Sequence, residues 1–140
     1  MNVYLIGWHL LLWSLMTSAQ SAKVRLDVTG VAVGKGPVVV NIYDSADHFF
    51  KQAAYTKTVT DAQPTATVLF DLPAGRYALS VYQDTNHNKR LDQGWFNIPT
   101  EPVGFGNNFR PGMSAPRFED CAVLVKNGDN QFTVNLLKIF

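Results

Sequence analysis

The residues of this chain best suited to chemistry lie in one run, DTNHNKRLD, residues 84–92. Oxygen-bearing side chains stand at alternate positions, Asp84, Asn86 and Asn88, and Asp92 closes the run. That spacing lets a curled chain converge its oxygens on one hard cation. Helix-flanked calcium loops do this with side chains at positions 1, 3 and 5 and a backbone carbonyl at 7. Here the ligands would be Asp84, Asn86, Asn88 and the carbonyl of Arg90, with Asp92 at position 9. Two positions depart from the pattern: Lys89 stands where the sharp turn usually takes Gly, and Trp95 where a bidentate Glu is usual. Glu101 is the nearest later acid, and a folded loop could bring it back. Lys89 and Arg90 oppose a divalent ion unless they point away. A calcium site here would be weak, and the favoured reading is a run of Asx turns in which Asn and Asp cap their own backbone.

Asp84 and Asp92 are also the only candidates for a hydrolase acid/base pair. Such a pair needs carboxylates opposed about the substrate and one raised pKa, and two acids in a polar loop indicate neither. After residue 22 the histidines are His48 and His87, and the single cysteine, Cys121, lies far from both, so no zinc cluster is expected. No Gly-x-Ser-x-Gly, phosphate loop or His-Glu-x-x-His is present. The expectation is a protein that is not an enzyme. Cys121, within DCAVLV, reads as a buried strand residue rather than a nucleophile.

The stretch that follows, to residue 112, holds Trp95, Phe96, Phe105 and Phe109 among Pro99, Pro102 and Pro111. Trp95, Phe96 and Phe105 are the candidate contact surface for a sugar ring or a peptide. The competing and favoured arrangement folds these aromatics inward as a lid, because a loop this long needs a small core of its own. Gly106-Asn107-Asn108 suits a turn with positive φ.

The elements that must hold this loop show period-2 alternation. Val24, Leu26 and Val28 alternate with charged or polar neighbours, and Val38, Val40 and Ile42 lie on one face with Asn41 and Tyr43 on the other. Val68, Phe70 and Leu72 share a face, as do Tyr77, Leu79 and Val81. Cys121, Val123 and Val125 form a fifth set, and Phe132, Val134 and Leu136 a sixth. Residues 55–60 make a seventh, edge strand, and Phe49 and Phe50 cap the core from a short turn. Pro73-Ala74-Gly75 and Asn127-Gly128-Asp129 are predicted to close hairpins. The fold class is therefore all-β, an antiparallel β-sandwich of about seven strands with one long ordered loop. A closed barrel competes. A membrane barrel is disfavoured by Arg25 and Asp27 at mid-strand, since a lipid-facing band does not hold charges cheaply.

The first 22 of the 140 residues carry no Lys, Arg, Asp or Glu, and residues 3–16 are mostly apolar. Residues 1–19 read as a signal peptide, cleaved between 19 and 22, leaving 20–140 as a single domain. The apolar run is short for a span, so the mature protein is not expected to cross a membrane. The implied location is periplasmic or secreted. A formal net charge of +1 without a basic cluster argues against nucleic acid as a partner. The expected function is an exported, non-enzymatic module binding an unknown protein or carbohydrate partner at the 84–112 loop, with calcium as an optional stiffener. A hydrolase using Asp84 or Asp92 and a purely structural envelope protein are the alternatives.

From Phe70 to Val125 the chain resembles a bacterial family known as domain of unknown function 2141. The resemblance is carried by FDLPAGRYALSVYQDTNHNKRLDQGWFNIPTEPVGFGNN followed by PRFEDCAVLV. In that family a strand ending in Asp leads to an Asn-rich stretch, Leu-Asp, a Gly-Ile-Pro-like segment, Glu, Gly-Phe and two Asn. The resemblance implies small exported proteins with a transthyretin-like or prealbumin-like sandwich. Leu72-Pro73-Ala74-Gly75-Arg76-Tyr77 is similar to the Leu-Pro-x-Gly-x-Tyr turn of that wider group. Two family glycines are replaced here, by Lys89 and by Asn97 before Ile98-Pro99.

Overall fold

The computed structural model describes residues 20–139; residues 1–19, read above as a signal peptide, lie outside them. The described chain is all-β. Its strands are β1 (Ser21–Thr29), β2 (Val38–Tyr43), β3 (Tyr55–Val59), β4 (Thr65–Pro73), β5 (Gly75–Gln83), β6 (Val103–Phe105), β7 (Ala122–Val125) and β8 (Asp129–Asn135). Helix is confined to one α turn, α1 (Phe118–Cys121), and two 3-10 turns at Trp95–Asn97 and Gly106–Asn108. Among the described residues no helix is long and apolar enough to cross a membrane.

Two sheets sandwich the core. One has the order β4-β1-β8; the other runs β3-β2-β5, and β6 and β7 share the far edge of β5. The pairing of β1 with β4 is antiparallel, but β1 and β8 run parallel, so the sandwich is not purely antiparallel. β4 alternates without a break, placing Ala66, Val68, Phe70 and Leu72 inside. From β1, Val24, Leu26 and Val28 meet them, and Val40, Ile42, Leu79 and Val81 close the core from the other sheet.

β2 and β5 are buried almost throughout, because the second sheet is covered on both faces. Its outer face carries a second cluster in which Tyr43, Tyr82 and Val103 pack with Phe49, Phe105 and Cys121. Phe49 meets the Tyr43 ring edge-on at 5.2 Å and the Phe118 ring at 6.2 Å. Cys121 is thus buried as expected, though as the end of α1 beneath the second cluster rather than on the face of Val123 and Val125. Burial pushes its thiol up to about 12, and the adjacent Asp120 charge adds to the shift, so a thiolate is disfavoured.

Both predicted hairpins are corrected by the structure. β4 and β5 belong to different sheets, and so do β7 and β8, so each short connection crosses the sandwich. At the first crossing the Tyr77 hydroxyl donates to the Pro73 carbonyl at 2.8 Å and pins the corner. At the second, Asn130 does the work a cross-strand ladder would otherwise do. Its Oδ1 accepts from Lys126 N at 2.9 Å and its Nδ2 donates to Lys126 O at 2.7 Å. Turn chemistry marks where a chain reverses, but not which strand it joins next.

The outer face of the three-stranded sheet centres on Asp27. Its carboxylate accepts from Thr67 Oγ1 at 2.7 Å, Arg25 Nε at 3.1 Å and Gln131 Nε2 at 2.9 Å. The Thr67 bond first, then the Arg25 bond, hold this carboxyl below its ordinary value. A folded-state value below the unfolded one contributes stability above the unfolded pKa, and that stability is lost as pH falls through the folded value. Asp27→Asn should therefore lower unfolding free energy by about 1 kcal/mol at pH 7. The deficit should shrink as pH drops below about 4. Urea titrations at pH 7 and pH 3 measure this; an undiminished deficit at pH 3 would exclude it.

Candidate functional site

The long loop leaves the end of β5, where two consecutive polar residues are buried. Gln83 is 0% exposed and Asp84 1%. Gln83 lies in the same period-2 phase as Tyr77, Leu79 and Val81, so it points into the first core and must find partners there. It clamps the β1–β2 connection: Oε1 accepts from Ala32 N at 3.0 Å, and Nε2 donates to Ala32 O at 2.8 Å and Gly36 O at 3.0 Å. The backbone N–H of Asp84 donates to Pro37 O at 2.9 Å. Gly36, with φ +113°, lets these segments touch, since a Cβ there would fall 2.0 Å from the Asp84 carbonyl oxygen.

Beyond this clamp the loop is tied by its own side chains. The Asp84 carboxylate accepts from Asn88 N at 3.1 Å and Lys89 N at 2.8 Å. Asn86 Oδ1 accepts from Asn88 N at 3.2 Å, and Asn88 Oδ1 from Arg90 N at 3.1 Å, which are the expected Asx turns. Asn88 Nδ2 donates to Asp92 Oδ1 at 2.8 Å, and Asn86 Nδ2 also donates to Asp92. Arg90 holds its exposed guanidinium 3.9 Å from Asp92. The loop thus brings together Asp84, Asn86, Asn88 and Asp92, with Arg90 at the rim.

Glu101 returns to the run, as its place in the sequence allowed, and is 3% exposed. Its Oε1 accepts from Thr85 N at 2.8 Å and Thr85 Oγ1 at 3.2 Å, and its Oε2 from Asp92 N at 3.1 Å. It bridges the two ends of the 85–92 curl through backbone N–H groups. Among the described residues no group of three or more His, Cys, Asp or Glu side chains is arranged to hold a metal. The donor set at Asp84, Asn86, Asn88 and Asp92 fits a hard cation in chemistry. In geometry, amide N–H groups face Asp92, so a cation would have to displace them.

Lys89 has φ +64° and Asn97 φ +58°. Both residues therefore adopt the left-handed conformation that favours glycine, so these turns form here without one. Past Asp92 the chain forms a narrow reversal. Gly94 N donates to Ile98 O at 2.8 Å, Ile98 N to Trp95 O at 3.2 Å and Thr100 N to Asp92 O at 3.0 Å, while Gln93 bridges Pro99. At its tip Trp95 and Phe96 are 88% and 91% exposed, and Phe96 itself has φ +57°.

The expected lid is accordingly only half present. Phe105 belongs to β6 and the second cluster, with Phe109 packed against that cluster, so Phe105 is withdrawn as a contact residue. Trp95 and Phe96 project outward, because a reversal this tight leaves its tip no surface to pack on. Asn107 and Asn108, at φ +58° and +48°, stitch the loop down: Asn107 Nδ2 donates to Ala122 O at 2.7 Å, and Asn108 Oδ1 accepts from Asn135 N at 2.9 Å. Sequence reading missed Gln83 and β6. Gln83 carried a signal, a polar residue in core phase; the three-residue β6 carried none.

Fold and loop together define a small all-β sandwich that displays an aromatic pair on a self-tied loop. The chain belongs to the bacterial family described as "Uncharacterized protein conserved in bacteria" (DUF2141), whose model matches residues 26–133, from within β1 to within β8. No curated protein and no solved structure matches it.

Two substitutions test how the loop is held. Glu101→Ala removes a buried acceptor of three bonds and should cost about 3 kcal/mol in denaturant unfolding, several times the cost of Asn86→Ala. Equal, small losses for both would show that Glu101 is not the tie. Lys89→Gly relieves a left-handed non-glycine residue at some cost in unfolded-state entropy. It should raise stability by about 0.5–1 kcal/mol, whereas Lys89→Ala should not.

Proposed function

We propose that the protein is an exported, non-enzymatic β-sandwich module that binds a carbohydrate or protein partner through Trp95 and Phe96. The observation that carries this reading is the near-complete exposure of both rings on a tightly hydrogen-bonded reversal. Single exposed apolar residues are ordinary on protein surfaces. Two adjacent aromatics are different when Phe96 is held in a strained backbone region, because such strain clusters at binding sites. Trp and Tyr-like rings supply large contact area at little entropic cost, and they dominate binding energy at interfaces. The hydrolase alternative draws no support from Asp84, whose carboxylate is buried and engaged with Asn88 and Lys89 backbone N–H groups.

Calcium enters this reading as a stiffener. Asp84, Asn86, Asn88 and Asp92 would hold it, and it would supply a cross-link between the two ends of the curl. The tip does not depend on it, since Glu101 already ties those ends.

Trp95 is the single tryptophan of residues 20–140 and therefore reports on the tip alone. Its fluorescence should be that of a solvated indole, fully open to a soluble quencher. Purified peptidoglycan fragments or a chemically cross-linked envelope protein should shield it. Trp95→Ala/Phe96→Ala should abolish that binding with less than about 0.5 kcal/mol change in stability, as expected for exposed positions. Undiminished binding by the double variant would exclude the tip. Melting in calcium and in chelator tests the stiffener separately. A site saturated a hundredfold above its Kd adds about 2.7 kcal/mol, and no shift at about millimolar calcium would remove the ion while leaving the tip untouched.

A further inference from the structure

A cleft of about 570 Å³ opens where β6 meets the chain leaving β8. Its walls are β6, residues 108–111 and residues 135–139. They are fixed to one another. Val103 N donates to Leu137 O at 2.9 Å, and Leu137 N donates back to Val103 O at 2.8 Å. Asn135 N donates to Asn108 Oδ1 at 2.9 Å and holds the third wall to the first two. The cleft is therefore preformed, and its size lies in the range of small-molecule sites.

Its lining mixes polar and apolar surface. Phe109, Pro111, Leu137 and Ile139 offer apolar groups, Asn108 and Asn135 line it beside them, and among the described residues Arg110 and Lys138 are its only charged side chains. Among the described residues neither cation enters an ion pair. Asp84, Asn86, Asn88, Asp92, Trp95 and Phe96 are all absent from it, so it is separate from the loop site. Two cations without an ion pair among the described residues, beside the apolar side chains of Phe109, Leu137 and Ile139, favour an anion with an apolar body. A bare inorganic anion would leave those side chains in water, a neutral lipid would leave the cations unused, and a metal cation would be repelled.

We propose that this cleft binds a single-chain amphiphile with one anionic head, a long-chain fatty acid, its carboxylate between Arg110 and Lys138 and its alkyl chain along Phe109, Leu137 and Ile139. The test is calorimetric titration of residues 20–140 with palmitate below its micelle concentration, with methyl palmitate and butyrate alongside. Palmitate should saturate at one per chain. The methyl ester lacks the charge and butyrate lacks the chain, so each should bind at least about tenfold more weakly. Arg110→Ala/Lys138→Ala should weaken palmitate by about tenfold, the sum of two exposed charge contacts. Both side chains are exposed and form no hydrogen bond within the described residues, so an unchanged melting temperature should accompany that loss. Leu137→Asp should abolish binding. Trp95→Ala/Phe96→Ala should bind palmitate as the parent does, which separates this site from the tip. Ester binding as tight as acid binding, an unaffected Arg110→Ala/Lys138→Ala variant, or absence of saturable binding would each overturn the proposal.

Discussion

Everything beyond β5 depends on three buried polar side chains that must each be satisfied. Gln83, Asp84 and Glu101 are withdrawn from water, and a buried amide or carboxylate without partners costs several kcal/mol. Each finds its partners in backbone groups of a different segment. Gln83 takes the β1–β2 connection, Asp84 the turn at residues 88–89, and Glu101 both ends of the curl at Thr85 and Asp92. A buried polar group tolerates few alternative geometries, so the three together leave the loop one path. The same requirement explains Gly36, because the clamp brings two backbones closer than any Cβ permits.

The second constraint is the double covering of the larger sheet. Strands β2 and β5 bury both faces, one in the sandwich core and one beneath Phe49, Phe105 and Phe118. The later part of the long connection supplies that second cover through Phe105, Phe109 and α1. Its earlier part is free to project. The loop is therefore long for two reasons at once: residues 103–121 finish the packing of a sheet, and residues 84–102 display a surface. Asn107 and Asn108 tie the covering segment to the start of β7 and the end of β8.

Much of this was legible in the chain. Six of the eight described strands follow from alternation, because burial on one face is a local property with a fixed period, and the edge strand at Tyr55–Val59 lies where an edge strand was expected. The Asx turns were legible too, since in such a turn the Asn side chain accepts from the N–H two residues further on. Trp95 and Phe96, named as candidate contact surface but expected to lie inward, are exposed, whereas Phe105, named with them, is core. Composition cannot separate these three, because each is an aromatic between turn residues. What separates them is the hydrogen bonding of Gly94 to Ile98 against the pairing of Phe105 with Ser80. Lys89 and Asn97 looked like breaks in a glycine pattern, yet both adopt the left-handed backbone that favours glycine.

The sequence by itself determined the class of fold, the places where the chain turns, the faces that strands bury and the family. These follow from period-2 burial and from turn residues that act within a few positions of themselves. Tertiary structure alone decided which strands pair, that two apparent hairpins cross between sheets, and that β1 and β8 run parallel. It also decided that Glu101 serves backbone N–H groups nine and sixteen residues away. It decided as well that Arg110 and Lys138, twenty-eight positions apart, share one cleft. The physical reason is the same in each case: burial pattern is written locally, whereas the partner of a hydrogen-bonding group or a charge is chosen by whatever the closed chain brings within about 3 Å.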